Sequence, residues 1–270
     1  MLKPAPLGPL SLLDAILNET SKGLILLWKY RANLLFEVIT IILFFIGLSF
    51  FATRGEATQN ELAEALLGYV VWLYAFMAIT HMGWGLKEEA QTGTLEQPYM
   101  SPTPPEFLIF GRTLAAFLSS TLTIASITFS LVVLLGIQIP LRLAGLPVLL
   151  ITIFGLFGFG LLVGGMTLVF KQVDSFISLL QIGLMFINGA LVPISAFPAW
   201  LELLARFIPS TQGIIVLRQV VLDERSLGWV WADGGLPFLI LHSLLSVVLG
   251  WGVFKLCERY AKQRGTLGQY

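Results

Sequence analysis

The chain has 270 residues and zero formal net charge; 56% of it is hydrophobic, only 12% is charged, and its mean hydropathy is +0.85. A water-soluble domain carries about twice that charged fraction, and burying so much apolar surface at this size would leave large exposed patches. The balanced charge gives no basic field for nucleic acid. The single cysteine, Cys257, excludes an intrachain disulfide and a paired-cysteine metal site, and His81 and His242 sit far apart in separate apolar runs.

In chain order, residues 11–33 come first. Leu13, Ile16, Leu17, Thr20, Leu24, Leu27 and Trp28 recur at helical spacing, while Asp14, Asn18, Glu19, Ser21, Lys22, Lys29 and Arg31 occupy much of the rest. With Ser11 and Asp14 in a capping pattern, the segment reads as an amphipathic helix in the membrane interface. The alternative is a helix packed on a soluble domain, for which the chain offers little material. The interrupted apolar run at the start, followed by acidic residues, does not look like a cleavable signal peptide.

Six runs then have the length and apolarity of transmembrane spans: 34–52, 66–86, 107–137, 143–170, 176–193 and 236–257. Backbone groups in hydrocarbon must pair within their own segment, so these are expected to be helices. With the N-terminus inside, eleven Lys and Arg fall in inner segments and five (Arg54, Arg142, Arg206, Arg218 and Arg225) in outer ones, which favours both termini in the cytoplasm.

Between the second and third runs, EEAQTGTLEQPYMSP interrupts the apolar pattern at 88–102. Pro98, Pro102, Pro104 and Pro105 forbid a long helix there; only a short element over about 90–97 is expected. The combination of Glu88 or Glu89, Gly93-Thr94-Leu95-Glu96, Ser101-Pro102 and Gly111-Arg112 resembles the first cytoplasmic loop of exporter-type ABC-transporter permeases, the ABC type-2 transmembrane family. A second stretch, Asn188-Gly189-Ala190-Leu191-Val192-Pro193 through Pro198, Trp200, Arg206, Pro209 and Leu217-Arg218, is similar to that family's outer re-entrant segment, expected over 193–213. Pro98, Tyr99 and the Pro104-Pro105 pair depart from the family's pattern and bear on the length of the loop helix.

The resemblance implies a single all-α polytopic transmembrane domain of six helices, with a cytoplasmic coupling loop over 87–106. It implies that Glu88, Glu89, Gly93, Thr94, Leu95 and Glu96 dock on a cytoplasmic ABC ATPase subunit. The other reading of the loop is a solvated connection kept in water by its charges. The chain has no G-x-x-x-x-G-K-[ST] and no Gly-Lys dipeptide, so ATP and Mg are expected on the partner and no cofactor on this chain. Gly160-x-x-x-Gly164 matches the small-residue packing motif of membrane helices.

Ser119, Thr123, Ser126 and Ser130 share one face of the third run. They serve either a pathway lining or helix packing, because a hydroxyl can bond back to its own helix. Asn188 is a pathway candidate or the cap of the re-entrant turn. His81 is the one mid-run ionisable residue that an ion-coupled carrier could use, and it reads rather as a packing or interfacial histidine. Glu202 and Arg206 stand at pairing distance on a helix, and Trp229 and Trp231 suit interface anchors.

The expected function is the permease subunit of an ATP-driven exporter in a prokaryotic cell membrane, contacting membrane lipid. It would work with a second copy or a paralogous permease and carry a hydrophobic or amphipathic drug-like molecule, lipid or lipid-linked glycan. An ATP-independent carrier or channel is the alternative. No nucleophile, metal cluster or acid–base pair is arranged for chemistry on a substrate.

Overall fold

Apolar runs that must satisfy their own backbones do so here as helices. The structure, a computed structural model, describes residues 28–93, 105–140, 142–170 and 173–264, together with 14, 17, 18, 20–23 and 25; of 90 and 105–113 it describes the backbone alone. The elements are α1 (Arg31–Thr53), α2 (Gln59–Gln91), α3 (Pro105–Leu135), α4 (Gly145–Val169), α5 (Asp174–Ile187), a 3-10 turn at Ile194–Ala196, α6 (Ala199–Arg206), α7 (Pro209–Val221), α8 (Leu227–Ala232) and α9 (Gly235–Gln263). No strand occurs among the described residues.

Five helices, α1, α2, α3, α4 and α9, are long and apolar enough to cross a membrane. The chain is therefore a polytopic, all-helical membrane protein. The expected fifth span, 176–193, is corrected: α5 has 14 residues, about 21 Å at 1.5 Å per residue, against about 30 Å of hydrocarbon. Its end is chemical. Asn188 accepts the Ala190 amide at 2.9 Å on Oδ1, and Gly189 takes a left-handed φ of 81° that favours glycine. The missing length returns in the pair α6 and α7, bent by 92° across residues 207–208.

The helices sort into two ends. Lys87 at the end of α2 pairs with Asp174 at the start of α5, and Leu86, Leu168, Phe254 and Ala261 cluster beside them. We call this the proximal end. At the distal end Arg142 pairs with Glu224 at 2.7 Å, joining the α3–α4 and α7–α8 connections.

Helix α4 stands at the centre and is approached on three sides through glycine. A Cβ on Gly158 would lie 2.4 Å from the Val247 amide nitrogen, and one on Gly250 would lie 1.9 Å from the Gly158 carbonyl oxygen. The Ser246 hydroxyl donates to the Gly155 carbonyl at 2.8 Å across the same seam. On another side Gly160 and Gly164 face Ala78 and Met82 of α2, so the Gly-x-x-x-Gly motif marks a true helix contact. On the third, Thr152 fills the space beside Gly213 of α7. Thr152 lies seven residues past the start of α4, so Gly213 sits about 10 Å below the distal end and α7 begins deeper still. It runs outward until Val221 meets Gly145.

Helix α2 carries the polar bonds that position α1 and α5. Tyr69 donates its hydroxyl to the Ile41 carbonyl at 2.9 Å, and Trp72 Nε1 donates to the Gln181 carbonyl at 2.9 Å. Gln181, buried at 3% exposure, donates Nε2 to Thr80 Oγ1 at 2.9 Å. Such pairs hold a buried amide in hydrocarbon at little cost. Before α1, every described residue from 14 to 29 is helical. There Leu17, Ile25 and Trp28 are exposed, and Gly23 meets Ala115 of α3 so closely that a Cβ would lie 2.6 Å from the alanine methyl.

The α4–α9 seam is the packing constraint with least room, because the obstacle is backbone. Gly250→Ala is expected to cost about 3 kcal/mol or more, at the upper end of overpacking. Gly252→Ala, with nothing within 4 Å of its Cβ, is expected to be neutral or stabilising by about 0.5–1 kcal/mol. Thermal unfolding of the two detergent-purified variants checks the contrast; equal melting temperatures would mean the seam is not tight.

Candidate functional site

The proximal turn begins as helix. Of the expected short element over about 90–97, Ala90 and Gln91 are instead the last residues of α2, and 94–97 lie outside the described residues; Lys87, Glu88 and Glu89 also belong to the last turns of α2 rather than to a loop. The residues Lys87 to Gln91 are good helix formers, and nothing before Gly93 opposes continuation. Thr92 donates to the Glu88 carbonyl at 2.8 Å, and Gly93 ends the run with φ 69° and open space around it. Glu88 is exposed and Glu89 partly so. Thr94, Leu95 and Glu96, with Pro98, Tyr99 and Ser101-Pro102, lie outside the described residues, as do the side chains of Gly111-Arg112. Asp174 sits in the first turn of α5, where the helix dipole favours a carboxylate.

Along α3 the structure separates the predicted hydroxyl stripe from the polar residue that faces another helix. Ser119, Thr123, Ser126 and Ser130 donate to carbonyls three or four residues back, at 2.8–3.0 Å. Thr121 and Thr128 do the same at 2.8 and 2.7 Å. Their hydroxyls bond to their own helix. Ser120 is the exception: its Oγ lies 3.2 Å from His81 Nε2 on α2.

That pair forms one wall of a cleft whose other lining includes Tyr74, Met77, Met82, Phe117 and Leu156. The cleft exists because α3 packs on α1 and α2 and stands off α4. Ser120 is buried at 6% exposure, while the His81 ring is exposed to the cleft. Tyr74 adds a long hydroxyl contact to Thr121 at 3.4 Å. Sequence reading passed over Ser120 because a contact 39 residues away leaves no local pattern.

At the distal end a second, more polar cavity lies between α2, α6, α7 and the turn after α5. Glu64, Asn188, Glu202, Arg206, Arg218 and Asp223 face it. Asn188 is fully buried and spends its side chain on Ala190 and on Ser210 Oγ, 3.3 Å from its Nδ2. It acts as the cap of the turn, the second of its two sequence readings. Glu202 and Arg206 pair at 2.7 Å as their spacing anticipates.

Around the cavity, Pro193 and Pro198 precede the 3-10 turn and α6, Pro209 opens α7 at its first position, and Trp200 is exposed. Arg218, counted in the sequence as an outer-loop charge, instead spans two elements. Its Nε and Nη2 reach the Glu64 carbonyl at 3.1 and 2.8 Å, and Nη2 also reaches the Ala190 carbonyl at 2.9 Å. The signal was present: a lone arginine within the apolar run IIVLRQVV is costly unless paired.

No group of three or more His, Cys, Asp or Glu that could hold a metal occurs among the described residues. Both cavities offer binding surfaces without an arrangement for covalent chemistry. Arg218→Met removes the charge-assisted bonds to the Glu64 and Ala190 carbonyls and is expected to destabilise the fold by about 2–3 kcal/mol. Arg218→Lys should recover less than half, since one ammonium cannot reproduce the planar fork. Chemical or thermal unfolding in detergent reads both.

These features can be set beside known proteins. No curated protein matches the chain significantly. The family model described as ABC-2 type transporter matches residues 17–222, which takes in the N-terminal segment, the proximal turn, both cavities and the re-entrant pair. A membrane-spanning helical chain with two binding cavities and a match of that extent belongs to the ABC-2 type transporter family, as a permease component of a membrane transport system.

Proposed function

We propose that the chain is the permease half of an ATP-driven exporter, moved by a separate cytoplasmic ATPase that binds the segment between α2 and α3. The observation that carries this reading is the proximal end of α2. The helix is 33 residues long, about 50 Å, so it projects past the hydrocarbon and presents Glu88 and Glu89 beside Gly93. Leu95 and Glu96 follow in the sequence as one apolar anchor and one further charge, a pattern suited to a single buried contact with charge-assisted ones around it. The Lys87–Asp174 pair links the same end of α2 to α5, giving a push on the turn a second helix to act upon.

A second permease copy, identical or paralogous, completes the pathway. Support comes from α5, whose Phe176, Leu179, Ile182 and Phe186 form an exposed apolar stripe on a helix too short to cross the bilayer. A protein neighbour would cover the ends of such a helix better than lipid does. The distal cavity, bounded by α6 and α7, is then the release side. The cargo is hydrophobic or amphipathic, in keeping with an apolar membrane cleft edged by a few hydroxyls. ATP and Mg bind the partner, both termini face the cytoplasm, and the membrane is the prokaryotic cell membrane.

The pair of substitutions Leu95→Ala and Glu96→Lys is expected to abolish ATPase co-purification and export while the protein still inserts. Membrane fractionation, pull-down and export assays on one preparation measure all three. Retained complex and retained export would sink the proposal.

A further inference from the structure

The cleft between α2, α3 and α4 has features that helix packing alone does not account for. Its lining is apolar except at one place. In the membrane-spanning part of the bundle, water would find almost no partners there. Tyr74 and Met82 both line the cleft, so it extends at least eight residues of α2, about 12 Å along the helix axis. A narrow apolar slot of that length, reached from between helices, suits an alkyl chain.

The polar spot then specifies the other end of the molecule. Six of the seven hydroxyls between residues 119 and 130 bond to their own helix, Thr121 also receiving a long bond from Tyr74; Ser120 bonds to another helix and not to its own. No backbone acceptor for its O–H occurs among the described residues, so we assign the bond as Ser120 donating to His81 Nε2, the tautomer that carries the ring proton on Nδ1. The imidazole is exposed to the cleft and no second partner for it occurs among the described residues. An N–H in an apolar slot requires an acceptor. Contacts of α2 with α4 set the depth: Ala78 meets Gly160 and Met82 meets Gly164, placing His81 in the proximal third, five residues inside Leu86.

We propose that this cleft binds a single-chain amphiphile drawn laterally from the bilayer, its alkyl tail along Met77, Phe117 and Leu156 and its hydrogen-bond-accepting head, of the fatty-acid class, on His81. Ser120 orients the imidazole. Binding of this kind needs no ATPase, so it stands or falls separately from the coupling reading above.

The test uses the whole chain reconstituted in vesicles of phosphatidylethanolamine and phosphatidylglycerol. Two photoreactive, alkyne-tagged probes are compared: a diazirine fatty acid and the matching diazirine alkane without a head group. Adducts are mapped by mass spectrometry. The fatty acid is expected to label 74–82, 116–120 and 153–157 more than the exposed apolar residues Leu241, Leu244, Leu245, Val248 and Leu249 of α9. It should also exceed the alkane there by about three- to tenfold, the worth of one net hydrogen bond.

His81→Phe keeps ring volume and removes the donor, so it should level the two probes at the cleft while leaving alkane labelling in place. Ala116→Phe narrows the slot and should lower both probes. Unchanged elution and melting temperature establish that each variant is folded. Even labelling of cleft and α9, or a fatty-acid preference that survives His81→Phe, overturns the proposal.

Discussion

Everything else in this bundle is hung on α4, and α4 can serve because it is nearly without side chains where its neighbours cross it. Gly158 and Gly250 bring two backbones into contact, with no room for even a methyl between them. In lipid, helices gain nothing by hiding apolar surface from one another, so association rests on such close approach and on a few hydrogen bonds. The seam with α9 also carries the Ser246–Gly155 bond. The opposite side of α4 accepts α2 by the same device, and the short α7 is wedged against it by Thr152 and Gly213. What α4 leaves uncovered, on the side where α3 stands off, becomes the membrane cleft.

Several polar groups in the bundle reach partners on a different element. Tyr69, Trp72 and Gln181 tie α2 to α1 and α5. Asn188 and Arg218 hold the turn where α5 stops short and α7 begins. The hydroxyls of α3 satisfy themselves locally, and so they carry little information about a pathway. A polar residue that declines the local bond, as Ser120 does, is the more informative one. Where α5 stops, the irregular backbone of the turn at 188–190 is buried in protein, as hydrocarbon requires.

How far the sequence foretold this depended on the range of each interaction. Long apolar runs give away α1, α2, α3, α4 and α9, because bilayer thickness sets their length independently of their neighbours. The run 176–193 misleads, since apolarity continues through Asn188-Gly189 while the backbone does not; only the turn chemistry at 188–190 separates helix from turn. The Glu202–Arg206 pair was legible as a local spacing and the Gly160–Gly164 contact as a motif. Ser120, Gln181 and Arg218 were not, because their partners lie 39, 101 and 154 residues away in sequence. The continuation of α2 through Lys87–Gln91 was hidden by the prolines beyond it, which limit a helix only from their own positions onward.

The central functional claim is that this permease moves its cargo only when a separate ATPase pushes on it. Reconstitution addresses it most directly: the purified chain is placed in sealed vesicles with a fluorescent amphiphile, with and without the proposed ATPase partner. The account predicts movement of the amphiphile that requires the ATPase, ATP and Mg together and stops when hydrolysis is blocked. Movement at the same rate with the permease alone, or movement driven by an ion gradient, would contradict it.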